Sequence, residues 1–307
     1  MTVINLQTLT EDQLPKKTVL CLGNFDGVHI GHQKLISKTV SIKNDLSESC
    51  NDVCSGVLFF KTSPRELITK TTVPLIINPI EKLKLFKGLG LDYAIILEFE
   101  DVMHMTPANF VSKVLKEELG CIHAVCGYNF KFGKKASGDA HDLLRLMDES
   151  TTVIDKVSID GIDVSSSNIR EFIANGNVTL VNLLLGRNYS ISGTVIHGKK
   201  LGRTIGIPTI NMQIDKGYAV LKNGIYVSQI KIDGTLYRSV SNIGIRPSVK
   251  DNDLINCETH IIGFDGDLYG RNLSVEFLKF VRDERKFDSI NKLKEQIIKD
   301  IITAKEY

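Results

Sequence analysis

The chain has 307 residues, of which 42% are hydrophobic and 24% charged, with seven prolines, no tryptophan and a formal net charge of +2. A balance so close to neutral excludes a general electrostatic affinity for nucleic acid or acidic membrane and leaves only local basic residues to meet phosphates. The length exceeds what one hydrophobic core usually serves, so two domains are expected.

The amino end lacks the basic segment and apolar stretch of a signal peptide, and no apolar run approaches the roughly 20 residues of a membrane span. A cytoplasmic protein with no nucleic acid and no membrane partner is the expectation. The cysteines at 21, 50, 54, 121, 126 and 257 form no CxxC pair and no metal-type spacing with histidine. Most lie in apolar runs such as Leu20-Cys21-Leu22, where a free thiol behaves as a small hydrophobe, so reduced thiols are expected.

Along the first half, apolar runs alternate with amphipathic stretches. Residues 17–22, 55–60, 93–98, 122–126 and 151–157 read as strands, and 30–43, 79–89, 107–118 and 139–148 as helices. That alternation predicts an α/β fold, a parallel sheet with helices on both faces, whose ligands bind beyond the carboxyl ends of the strands. A short helix over about 177–185 ends at Gly186, and the domain boundary is placed there: 1–185 and 186–307. Beyond it the runs 189–196, 224–232, 235–243, 256–262 and 271–280 are β-rich, and Asp233-Gly234 and Asp265-Gly266 suggest hairpin turns. A small antiparallel barrel is expected. Ile290, Leu293, Ile297 and Ile301 then recur at helical spacing, which predicts a tail helix against the barrel.

The chemistry concentrates in a few strings. Directly after the first strand comes Gly-Asn-Phe-Asp-Gly-Val-His-Ile-Gly-His, residues 23–32. Backbone N–H groups at a helix start attract anions, and glycine lets the chain approach them closely. His29 and His32 then share one face of the first turn. The string, with Gly23, Asn24, Phe25, Asp26 and Gly31, reads as a nucleotide-phosphate site rather than a turn carrying two exposed histidines. In Gly127-Tyr-Asn-Phe-Lys-Phe-Gly133, Asn129 is placed to hydrogen-bond a planar ring, whereas Phe130 and Phe132 taken alone read better as loop packing. Ser165, Ser166 and Ser167 with Arg170 suit a polyphosphate at a helix start; a simple N-cap cluster is the alternative, and the phosphate reading gains weight because the cluster falls on the same predicted sheet edge as His29 and His32.

In the second half, the run 193–211 spaces glycines at 198, 202 and 206 and ends Pro208-Thr-Ile-Asn211. It is not GxxxxGK[ST], so the ordinary P-loop is excluded. Gly198, Gly202 and Arg203 are candidates to wrap phosphates, and Thr209 and Asn211 offer hard oxygen donors for Mg²⁺. A glycine-rich barrel corner explains the same composition equally well.

The strings GNFDGVHIGH, GYNFKFG and SSSNIR resemble the adenylyltransferase module of bifunctional riboflavin kinase/FAD synthetases, a Rossmann-like member of the HIGH-motif nucleotidyltransferase group. The run 193–211 is similar to the riboflavin kinase signature. So are Asn223-Gly-Ile-Tyr226, Asn242-Ile-Gly-Ile-Arg-Pro-Ser248, Glu258-Thr-His260, Asp267-Leu-Tyr-Gly270 and Arg282-Asp-Glu-Arg-Lys-Phe-Asp288. The resemblance covers nearly the whole chain and implies a C-terminal six-stranded antiparallel barrel with a terminal helix.

It also implies two ATP-dependent reactions served by Mg²⁺: riboflavin to FMN in the barrel, then FMN to FAD with release of pyrophosphate. By resemblance, His29 and His32 stabilise phosphate charge, Ser165–Ser167 and Arg170 hold pyrophosphate, and Glu258 is the general base. Thr209 and Asn211 hold the metal and nucleotide, and Asn129, Arg282 and Phe287 lie near flavin. Ile210, Ser248 and Ser167 depart from the family's usual alanine, threonine and threonine. Ile210 adds bulk beside the metal site, while the serines keep their hydroxyls. The partners implied are riboflavin, FMN, FAD and ATP, with a weak homo-oligomer left open. A single-activity descendant, a flavin- and nucleotide-binding regulator without turnover, and adenylyl transfer to another phosphorylated cofactor are the competing readings.

Overall fold

The computed structural model describes residues 1–8, 16–198, 202, 205–214, 217–246 and 254–307. Arg203 and Ser248 lie outside the described residues. The chain forms two compact units, one of Met1–Val73 with Pro79–Ser165, the other of Pro74–Asn78 with Ser166–Tyr307.

In the first unit, six parallel strands are β1 (Thr2–Asn5), β2 (Lys17–Leu22), β3 (Val53–Phe60), β4 (Tyr93–Leu97), β5 (Cys121–Gly127) and β6 (Thr151–Ile154). Their order is β1-β4-β3-β2-β5-β6. Alternation along β2 sends its side chains to two cores. Leu20 and Leu22, with Leu58, Ile95 and Leu97, meet Phe110, Val111, Val114 and Leu115 of the helical stretch 107–118. On the other face Val19 and Cys21, with Val57, Phe59 and Ala94, meet Leu35 and Ile36 of α1 (Ile30–Ser47) and Phe86 of α2 (Pro79–Gly88). Each such side chain contributes about 1.5–3 kcal/mol when fully buried, so the sheet is fixed from both sides.

The expected strands and helices of this half are present, with further short elements between them, among them an edge strand and a hairpin. β1 pairs with β4 from Thr2↔Tyr93 to Asn5↔Ile96. The strand expected over 151–157 stops at Ile154, and a small hairpin, Ser158–Ile159 with Ile162–Asp163, follows. Its turn requires positive φ at Asp160 and Gly161 (49° and 77°), the signature of an Asp-Gly turn.

The second unit carries the short helices α3 (Ser166–Ala174) and α4 (Val178–Leu185). The Asn177 side chain caps α4, and Gly186 ends it at φ 65°, as the sequence predicts. Six strands then close a barrel: β7 (Tyr189–Ile196), β8 (Ile210–Ile214), β9 (Gly224–Ile232), β10 (Thr235–Arg246), β11 (Leu254–Ile261) and β12 (Asn272–Arg282). The order is β7-β8-β11-β10-β9-β12, closed by β12 on β7. All six are antiparallel to their neighbours, which leaves no open sheet edge.

Inside, buried hydroxyls form a chain: Ser239 to Ser228 (2.8 Å), Ser228 to Ser241 (2.7 Å) and Ser241 to Thr259 (2.8 Å). Their mutual bonds offset the desolvation that a lone buried hydroxyl would suffer. The tail helix α5 (Ile290–Glu306) seats Ile301 and Ala304 on Ile225, Val227, Val240 and Leu278. Ile290, expected on the buried face, is 57% exposed. The helix instead uses the turn carrying Asp300, whose carboxylate is held by Arg282 from the end of β12.

Candidate functional site

The Gly23–His32 string leaves β2 at its carboxyl end, where the Gly23 N–H still bonds Leu58 O across to β3 (3.3 Å). Phe25 and Val28 adopt positive φ (51° and 43°), unusual for a bulky and a β-branched residue, and both are fully buried. Packing holds that geometry: Phe25 meets Phe86 edge-on at 5.7 Å, and Gln33 Nε2 donates to Val28 O at 2.9 Å.

His29 is the N-cap of α1. Its Nδ1 accepts the His32 backbone N–H at 3.3 Å, so the neutral ring carries its proton on Nε2. The rings of His29 and His32 stack with centroids 3.6 Å apart and 13° between planes. A Cβ at Gly31 would lie 3.2 Å from His29 Nδ1, so glycine there keeps room for the capping imidazole. Asp26 is 7% exposed, while Asn24 is exposed. Seven of the expected residues thus gather at one strand-to-helix turn, with an N–H donor fixed on His29.

After β5, Tyr128 and Asn129 are exposed. Phe130 stacks on Phe132 at 5.5 Å, and Phe132 leans on Phe110 at 5.7 Å. These two phenylalanines are loop packing. Ser165 closes the first unit, whereas Ser166, Ser167 and Arg170 open α3 in the second. There Arg170 Nε donates to Pro74 O at 2.7 Å, and the 74–78 segment is tied to the barrel unit by the Leu75↔Tyr218 bridge.

In the barrel, register does the assembling. Asn211 of β8 is the direct partner of Glu258 of β11, and Glu258 of Asn242 of β10. Asn242 faces Ile225, which faces Arg282 of β12. One cross-strand row therefore contains Asn211, Glu258 and Arg282. Asn256 Nδ2 donates to Glu258 Oε1 (2.9 Å), and His260 Nδ1–H donates to Pro208 O (2.7 Å), tying the Pro-Thr-Ile-Asn strand entry to β11. His197 and Tyr269, from two of the matched strings, lie with ring centroids 3.9 Å apart.

Arg282 makes a two-pronged bond to Asp300, which is 3% exposed (Nε to Oδ1 3.0 Å, Nη2 to Oδ2 2.7 Å). The Phe287 ring lies 6.0 Å from Arg282 and 5.3 Å from Arg285. Asn242 Nδ2 donates to Glu284 Oε1 at 2.8 Å, holding the 282–288 segment to the barrel.

The glycines around Thr209 and Asn211 give the test of fit for a metal-bound nucleotide. A Cβ at Gly198 would stand 2.6 Å from Asn211 Cγ, and one at Gly202 would overlap Ile207 O and reach 3.4 Å from Thr209 Oγ1. Only bare backbone fits beside these two oxygen donors, and a hydroxyl with an amide suits Mg²⁺ completed by phosphate oxygens and water. Among the described residues no cluster of three His, Cys, Asp or Glu side chains offers an alternative metal site. Nothing local in the sequence marks Asn242, Asn256 and His260 as site residues. Their strand-by-strand pairing with Glu258 and Pro208 is the signal, and it exists only once the barrel register is known.

Residues 11–168 match the family model described as FAD synthetase, and residues 185–307 the one described as riboflavin kinase. Together the two matches define a two-module transferase, a nucleotidyltransferase-type α/β unit followed by a kinase-type barrel. A bifunctional riboflavin kinase/FMN adenylyltransferase of Bacillus subtilis (strain 168) is 34% identical over 298 residues, covering 95% of this chain and 92% of that one. The protein of the same description from Pseudomonas fluorescens is 35% identical over 291 residues, covering 94% and 92%. This chain belongs to the bifunctional riboflavin kinase/FMN adenylyltransferase family. A solved structure described as a macrolide-efflux protein from Streptococcus pneumoniae is 28% identical, with a TM-score of 0.89 and full coverage of both chains. No helix among the described residues of this chain is long and apolar enough to cross a membrane.

Proposed function

We propose that the barrel phosphorylates riboflavin to FMN and that the α/β unit adenylylates FMN to FAD, each with ATP, in the cytoplasm. The working boundary between the modules is 185/186, where α4 ends on Gly186. The observation that carries this reading is that each unit keeps its reactive pair at adjacent positions: His29 stacked on His32, and Glu258 paired with Asn211.

In the barrel, the ribityl 5′-hydroxyl oxygen bonds to the γ-phosphorus of ATP as the β–γ bridging bond breaks and ADP leaves. Glu258 takes the hydroxyl proton, with Asn256 holding its carboxylate. Thr209 and Asn211 would hold Mg²⁺, which neutralises phosphate charge when bound. Gly198, Gly202 and Arg203 would follow the phosphates, and Arg282 and Phe287 would flank the flavin.

In the α/β unit, an oxygen of the FMN phosphate bonds to the α-phosphorus of ATP as the α–β bond breaks and pyrophosphate leaves. That phosphate is already largely ionised near neutral pH, so no general base is needed. His29 is set to donate Nε2–H to the phosphoryl oxygens where charge develops, with His32 stacked behind it. Asn129 is proposed to face the flavin. Ser165, Ser166, Ser167 and Arg170 are proposed, on the SSSNIR match alone, to hold the leaving pyrophosphate.

The test is incubation of the full chain with riboflavin, ATP and Mg²⁺, followed by chromatographic identification of products. FMN, FAD, ADP and pyrophosphate are expected. FMN alone would reduce the chain to a single-activity kinase. Nucleotide binding with neither flavin product formed over hours would make it a regulator.

A further inference from the structure

One cation near the Gly23–His32 turn has no place in the chemistry above. Lys82, on α2, is half-buried, and its Nζ lies 4.3 Å from the centre of the Phe59 ring, the penultimate residue of β3. Phe59 contacts Phe86 (5.6 Å), Phe86 contacts Phe25 (5.7 Å), and Phe25 lies 5.0 Å from His32. An unbroken line of rings therefore joins the ammonium to the histidine pair.

The neighbouring Glu81 is turned to Lys84 (2.7 Å), and among the described residues Lys82 has no ion pair of its own. The charged group it feels from the facing loop is Asp26. Burial pushes the Lys82 ammonium down to about 8, with Asp26 opposing that fall. A lysine held partly out of water over an aromatic face gains when an anion arrives.

Topology says which anion. β2 is flanked by β3 on one side and β5 on the other, and the order of connection reverses between β2 and β5. In open sheets of this kind a nucleotide occupies that crevice. Lys82 stands over β3, on the opposite flank of β2. Two phosphate-bearing substrates must meet at the end of β2, so a cation on the β3 side lies where the second one approaches. A phosphate monoester brings a charge of about −1.5 to −2 toward the Asp26 carboxylate and needs a positive group there.

We propose that Lys82 binds the phosphate monoester of the acceptor, on the side of β2 away from the nucleotide. This rests on the adenylyl-transfer reading, in which the acceptor is FMN.

The test uses the full chain with Lys82→Met and Lys82→Arg, measuring FAD formation with FMN varied at saturating ATP, and the converse. Lys82→Met is expected to raise KM for FMN about 10–100-fold, the range of a lost charged hydrogen bond, with KM for ATP unchanged within about twofold. Lys82→Arg is expected to restore most of the loss. FMN formation from riboflavin, which needs only the barrel, is the check that each variant is folded.

A second readout separates binding from mere packing. As pH rises past about 8 the wild-type KM for FMN should climb as the free ammonium loses its proton, whereas that of Lys82→Arg should stay flat. An unchanged KM for FMN in Lys82→Met, or a rise confined to ATP, overturns the proposal. Absence of FAD from the wild-type chain would instead remove the reading beneath it, and the two failures are told apart by that control.

Discussion

In the α/β unit the histidine pair and the five residues grouped with it lie within ten consecutive residues, Gly23 to His32, and one helix start arranges them. The barrel draws Asn211, Glu258 and Arg282 from three strands and aligns them only by pairing β8 with β11, β11 with β10, β10 with β9 and β9 with β12. A local site tolerates distant change but suffers from any disturbance of its own turn. A register-built site is exposed to every strand that sets the register. Substitutions in the two units should therefore separate cleanly by activity and differ in how far from the chemistry they act.

The largest separation is expected from Glu258→Gln, which should lower FMN formation about 10²–10⁴-fold, the range of general-base loss. FAD formation from supplied FMN should stay within about twofold. Loss of both products would sink the idea of independent sites. The mirror experiment is His29→Ala, expected to cost FAD formation about 10²–10³-fold while sparing FMN formation.

His29 also caps α1, and losing a cap typically costs about 1 kcal/mol. His29→Asn, which keeps a capping side chain, should match the alanine variant in lost activity but melt closer to wild type. Equal melting temperatures for the two would show that the cap contributes little.

Asp300→Ala sharpens the contrast from a distance. It strands Arg282 without its buried partner, a loss of about 3 kcal/mol. Urea unfolding should show a lower midpoint, and FMN formation should fall with the alignment of β12, while the α/β activity persists. A smaller effect is expected from Gly198→Ala. The added methyl would displace Asn211 and lower FMN formation about tenfold with little change in stability. A wild-type rate there would mean that the loop relaxes away from Asn211.

The same contrast decides what the sequence reveals. The strand, turn and capping histidine at 17–32 are neighbours in the chain, so hydrophobic pattern and helix-start chemistry expose them directly. β8 escaped because its five residues follow a glycine-rich run and alternate too briefly to register as a strand beside Pro208. The bonds from Asn256 to Glu258 and from His260 to Pro208 depend on barrel closure, which no local pattern encodes. Phe130 and Phe132 were legible as loop packing, and the Phe132 ring is indeed committed to Phe110. Arg282 was legible as a motif residue, but its grip on Asp300 required knowing where the tail helix lands.

The cysteines give the molecule a set of internal strain gauges. Burial pushes Cys21, Cys121 and Cys126 up to about 12 and Cys257 up to about 11, and none forms a disulfide. Such thiols are shielded from alkylating reagents until the surrounding sheet breathes. Mass-spectrometric timing of their modification would clock the opening of the sheet at three positions and of the barrel at a fourth, without introducing a label.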